Sequence, residues 1–127
     1  MRESAGSSAR RADRGAPRGE TVPREALIVF CTCPETSATA IAEALVNERL
    51  AACVNQLAAV QSIYRWQERV ETATETLLIM KTTTDLYDEL ERRLHALHPY
   101  EVPEILAVPV ARGYPPYLRW LEGALRA

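Results

Sequence analysis

The chain predicts an α+β fold, a four-stranded antiparallel sheet with helices packed on one face and an extra helix at the C-terminal end. Four short apolar, β-branched runs alternate with three stretches of helical periodicity, in the order β-α-β-β-α-β and then a last helix. Prolines fall at the joints, at Pro34, Pro99, Pro103 and Pro115-Pro116, and not inside the helical stretches. The second and third runs are long and separated by only a few polar residues, which reads as an extended hairpin.

Each element has its own warrant. Residues 26–33, ALIVFCTC, form a continuous apolar run suited to a central buried strand, and Pro34 stops it. A helix follows, with Thr36 or Ser37 as N-cap. Ala38, Ile41, Ala42, Leu45 and Val46 cover an arc of roughly 140° on its wheel. Arg49 falls on the same arc, so the helix should finish there, with a cation at its negative end. Residues 53–66, CVNQLAAVQSIYRW, are rich in β-formers, yet neither parity is cleanly apolar. That pattern fits a bent or bulged strand whose halves face different surroundings. Gln67-Glu68-Arg69 makes the turn, and 70–81 returns.

Thr84 is placed to cap the next helix, on which Leu86, Tyr87, Leu90, Leu94 and Leu97 share an arc of about 100°. Residues 104–110, EILAVPV, give the fourth strand, and Pro109, lacking an N–H, argues for an edge or a bulge. Pro115-Pro116 opens a last helix with Leu118, Leu121 and Leu125 inward. The order is that of the split β-α-β, ferredoxin-like arrangement. Its second sheet face poses a difficulty, because Leu57, Ile63, Leu78 and Met80 cannot all point at two short helices. Such a face should be buried against further copies of the chain.

Charge divides the chain unevenly. Residues 1–24 hold six arginines against three acids, or +3, and the remaining nine basic and fourteen acidic residues give −5. A folded part of that sign disfavours a nucleic-acid surface. The 1–24 segment is rich in Gly, Ser, Pro and Arg with few aliphatics, so a disordered basic tail is expected there, ahead of one domain over 25–127. No secretory apolar run and no stretch of membrane-spanning length is present, and the expected location is the cytoplasm. The three cysteines, Cys31, Cys33 and Cys53, are then thiols.

Chemistry concentrates in HPYEVPEI, residues 98–105. Pro99 ends the preceding helix near Leu97 and Pro103 keeps the link extended, so His98, Tyr100, Glu101 and Glu104 ride on a stiff connection. Stiffness suits a binding site and a tight turn equally. His95 belongs on the solvated helix face. Lys81 is the only lysine beside fourteen arginines, which fits an ion pair, a bound anion or chance. Cys31 and Cys33 share one strand face; with imidazole and carboxylate a thiolate suits copper or zinc, but a strand cysteine is as readily an inert core group. No nucleophile elbow, phosphate loop, dinucleotide fingerprint or HExxH is present, and no acid–base pair nominates a reaction.

The segments ERLAACVN (48–55), SIYRW (62–66), MKT (80–82), HPYEVPEI (98–105) and YLRWL (117–121) together resemble the CutA family of divalent-cation tolerance proteins, over residues 26–125. The resemblance implies a homotrimer with its sheets around a three-fold axis, and copper or another divalent metal ion as ligand. It implies Cys31, His98 and Glu104 as metal ligands, and Tyr64, Trp66, Lys81, Tyr100, Glu101 and Trp120 at clefts between subunits. No recognisable catalytic constellation is present, so no enzyme is expected. A second reading is a signalling or anchoring trimer of PII-like architecture, holding a small ligand or a protein partner at those clefts. One departure stands out: Glu68 occupies the turn position where the family carries glycine, so a different turn type is expected.

Overall fold

A computed structural model describes residues 24–127. The tail expected over 1–24 therefore lies outside the described residues, except for Arg24. That residue is held in place: its guanidinium pairs with Asp85 at 3.0 Å and donates to the Arg126 carbonyl.

The strands are β1 (Ala26–Cys33), β2 (Cys53–Trp66), β3 (Arg69–Thr83) and β4 (Leu106–Pro109), all antiparallel, in the order β2-β3-β1-β4. Helices α1 (Glu35–Asn47), α2 (Tyr87–Leu97) and α3 (Pro115–Ala124) complete the chain. The hydrophobic core lies between one sheet face and α1 and α2. Val29, Cys31 and Cys33 of β1 and Leu78 and Met80 of β3 meet Ile41, Leu45, Leu90 and Leu94 there. A second cluster gathers Trp120, Leu121 and Leu125 of the C-terminal region against Ala26, Ala52 and Leu86.

Register decides which side chains share a face. Cys31 pairs with Leu78 and Val29 with Met80, so Leu78 and Met80 go to the helix-covered side with the core cysteine and valine. This corrects the expectation that they need a second partner, since both are fully buried. The opposite face carries Ile28 and Phe30 of β1, Leu77, Ile79 and Lys81 of β3, Leu57 of β2 and Leu106 and Val108 of β4. On that side Leu57 is 43% exposed, Leu106 61% and Val108 44%. Apolar side chains therefore occupy both faces of the sheet.

The irregularity expected in β2 is a bulge between Leu57 and Val60, where Ala58 and Ala59 oppose the single residue Thr76 and Ala59 takes φ 59°. The extra residue inverts the alternation. Before it, odd-numbered residues of β2 face the open side; beyond it, Val60, Ser62, Tyr64 and Trp66 do.

Three local expectations change. Helix α1 starts at Glu35, so Thr36 and Ser37 lie in its first turn and do not cap it. It ends in a Schellman motif, with Leu50 N–H donating to Leu45 O and Arg49 N–H to Val46 O, and Arg49 in the left-handed position at φ 60°. Val46, at the margin of its arc, is 40% exposed. Thr84 does not cap α2, because its hydroxyl is drawn to Glu25, and a 3-10 turn (Thr84–Leu86) precedes the helix. As expected, β4 with Pro109 is an edge strand.

The hairpin turn is also tighter than expected. Trp66 pairs with Arg69, leaving Gln67 and Glu68 as a two-residue turn with φ 49° and 66°. Positive φ at both central residues marks a type I′ turn, so the glycine-type geometry is kept with Glu68 in place. Glu68→Gly should stabilise the fold by about 1 kcal/mol, read as a higher urea midpoint at unchanged m-value. No gain would mean that the left-handed backbone costs nothing here.

Candidate functional site

The site grows from the end of α2. Pro99 holds His98 in an extended conformation (φ −81°, ψ 137°), so the helix stops and the imidazole swings across to β1. Its Nε2 lies 2.8 Å from the Thr32 carbonyl oxygen. A carbonyl only accepts, so Nε2 carries the proton. Nδ1 in turn accepts the Tyr100 N–H at 3.0 Å. Both ring nitrogens are thereby used by backbone groups, and His98 is the neutral Nε2–H tautomer, 7% exposed.

Tyr100 extends the network. Its ring leans against His98, with centroids 4.8 Å apart, and its hydroxyl donates to Glu75 Oε2 at 2.7 Å. Burial, reinforced by that bond to a carboxylate, pushes the phenol up to about 12. Glu75 is itself only 6% exposed. From the exposed side of α2, His95 Nε2 reaches the Glu101 carbonyl at 3.2 Å and steadies the far end of the segment.

Between this segment, the end of β1 and the hairpin opens a cleft of about 740 Å³. Tyr64, Trp66 and Tyr100 supply aromatic walls, and Glu75, Glu101 and Glu104 supply carboxylates. Thr32 and Ser62 add hydroxyls, and Ile63 and Val102 close the apolar sides. Five of the expected residues thus come together: Tyr64, Trp66, Tyr100, Glu101 and Glu104. Sequence reasoning missed Glu75, because it sits in the polar run ETATETLL, where nothing in the alternation marks one carboxylate.

The others lie elsewhere. Lys81 stands on the open sheet face, its ammonium donating to Asn55 Oδ1. Trp120 is 9% exposed and packed in the second cluster with Tyr117, at the Ala26 end of β1, away from Thr32. It is already covered within one chain and does not line the cleft.

Cys31, His98 and Glu104 do not form a donor set in one chain. Cys31 is fully buried, and its thiol is pushed up to about 12, first by burial and then by Cys33, Glu104 and Glu75. A metal ligand must be the thiolate, and burial within one chain favours the thiol, so binding there has to displace its proton. His98 has no lone pair to offer without breaking a backbone bond. Among the described residues, no group of three or more His, Cys, Asp and Glu side chains is arranged to hold a metal ion. Within one chain these residues are not gathered into a thiolate–imidazole–carboxylate site.

Comparison with known proteins supplies a context for this geometry. The family model described as CutA1 divalent ion tolerance protein matches residues 27–124. The divalent-cation tolerance protein CutA of Thermus thermophilus is 54% identical over 96 residues, 75% of this chain and 93% of that protein. Protein CutA of Mus musculus is 45% identical over 102 residues, and the aligned part spans 58% of its length. Among solved structures, the Cut A1 protein of Thermus thermophilus superposes with a TM-score of 0.78 at 50% identity, covering 80% of this chain and 99% of that one. CutA of Xylella fastidiosa gives the same score of 0.78 at 45% identity, covering 80% and 98%.

Proposed function

The chain belongs to the CutA1 divalent ion tolerance family, and from that premise we propose that it serves divalent-cation tolerance as a non-catalytic homotrimer built by residues 25–127. The observation that carries this reading is the second apolar face of the sheet. Phe30 and Ile79 stand side by side at its centre, half-buried, with Ile28, Leu77 and Leu57 around them, and α3 packs at the Ala26–Cys53 end of the same face. A patch of that kind is what an assembly covers. The free thiols of Cys31, Cys33 and Cys53 suit a reducing compartment, and we place the protein in the cytoplasm. Among the described residues no helix is long and apolar enough to cross a membrane.

Divalent ions, copper among them, remain the ligand class of this reading, met by the assembled trimer and not by the buried Cys31–His98 pair. Light scattering tests the assembly, and should return three times the 14.2 kDa chain mass at micromolar concentration. Copper titration tests the site. His98→Ala should leave copper affinity unchanged within about twofold; a loss of about tenfold or more would restore His98 as a ligand.

A second reading, the PII-like signalling or anchoring trimer, is favoured by the hairpin tip. Trp66 is 56% exposed, Val70 66% and Ile63 70%, an apolar tip suited to a partner. Native mass spectrometry separates the readings: a retained metabolite or protein without metal favours the second.

A further inference from the structure

The open sheet face carries opposite charges toward its two ends. Register puts Glu75 on that face of β3, opposite Val60 at the root of the hairpin arm. Lys81 stands on the same face of the same strand, opposite Cys53. At about 3.4 Å per residue the two are about 20 Å apart, too far to meet within one chain. Glu75 is 6% exposed, with the Tyr100 hydroxyl donating to it, and Glu101 and Glu104 line the same cleft. The half-buried Lys81 donates to the neutral amide oxygen of Asn55. Among the described residues no ion pair includes Glu75, Glu101, Glu104 or Lys81.

Covering the face with another copy removes the water that still reaches these groups. A carboxylate or an ammonium so covered is strongly unfavourable unless its cover brings the opposite charge. Symmetry allows this. In a three-fold ring every joint is heterologous, so one part of the face meets a different part of the next copy and not its own image. The acidic end of one sheet then meets the cationic end of the next, three times over. Two cations stand on the open face of the described strands. Arg69, beside the turn, is 81% exposed with Glu71 at 3.7 Å. Lys81 is the one that lacks a carboxylate.

We propose that Lys81 of each copy is the counter-ion of Glu75, with Glu104, in the next copy, so that the cleft is an ionic joint closed by a second chain. The proposal rests on the trimer reading and names a contact that closes the ring.

The test is a double-mutant cycle on trimer dissociation, followed by light scattering over a dilution series in enough urea to bring dissociation into range. Lys81→Met should raise the dissociation concentration at least about tenfold. Glu75→Gln, which keeps an acceptor for Tyr100, should raise it as well. The double variant should dissociate about as readily as the weaker single variant, far short of the product of both effects. Lys81→Arg keeps the charge and should lose less than Lys81→Met. Because about 20 Å separates the two side chains in one chain, beyond the screening length of about 8–10 Å, coupling between them arises across chains. Effects that simply multiply, or wild-type association in Lys81→Met with native circular dichroism, would overturn the proposal. The two readings fail separately. A wild type that is monomeric at micromolar concentration removes the trimer and the joint together, and a trimer whose two changes multiply removes the joint alone.

Discussion

Ile79→Asp should reduce the mass of the protein in solution from three chains to one. Ile79 lies at the middle of the open sheet face, beside Phe30 on β1 and Asn55 on β2. Within a trimer an aspartate there would be taken from water, the Lys81 ammonium held at Asn55 offsets part of the cost, and the three-fold symmetry imposes the remainder three times. The variant chain should still fold, because the helix-covered cluster around Leu78, Met80, Leu90 and Leu94 is untouched. Each apolar side chain withdrawn from the interface forfeits about 1.5–3 kcal/mol of burial, which adds to that cost. Circular dichroism should stay native-like while light scattering reports the monomer. Retention of the wild-type mass would show that this face is not where copies meet.

His98→Ala should destabilise the fold by about 3 kcal/mol, as large an effect as any single change in the candidate site. The reason is the pair of backbone hydrogen bonds made by the imidazole. Removing it strands the Thr32 carbonyl and the Tyr100 N–H in a region with little water, and opens a void beside the Tyr100 ring. His98→Gln should recover part of the loss, since its amide can donate to the Thr32 carbonyl but cannot fill the ring's place. Urea unfolding at one fixed protein concentration measures both, because the stability of an oligomer depends on concentration. A cost below about 0.5 kcal/mol for His98→Ala would mean that the imidazole is not a structural tie and returns it to the pool of ligands.

Much of the architecture was legible because local rules pointed one way. The bounds of β1, the long hairpin, the Leu90–Leu94 stripe of α2 and the edge position of Pro109 follow from periodicity and proline chemistry alone. The bulge in β2 was legible as a failed alternation. What could not be read was anything set by pairing between distant strands. LLIM in β3 is apolar at every position, so only the Cys31–Leu78 register tells that Leu78 and Met80 turn toward the helices. Thr84 looks like a cap until Glu25 is brought beside it. In the site, the segment 98–104 announced itself, yet its chemistry was decided by Thr32 and Glu75, which lie 66 and 25 residues from their partners. Those contacts make the His98 imidazole a tie between backbone groups and an unremarked glutamate the buried acceptor of Tyr100.

The bulge at Ala58–Ala59 also constrains how such chains can vary in length. Deleting one alanine would turn the bulge into regular strand and leave Val60 opposite Glu75, so Tyr64 and Trp66 would keep their surface and the arm would lose its local bend. A deletion between Val60 and Tyr64 has no such slack and sends the residues beyond it to the other face. A library of single deletions along β2 should show the aromatic rim kept at Ala58–Ala59 and lost between Val60 and Tyr64.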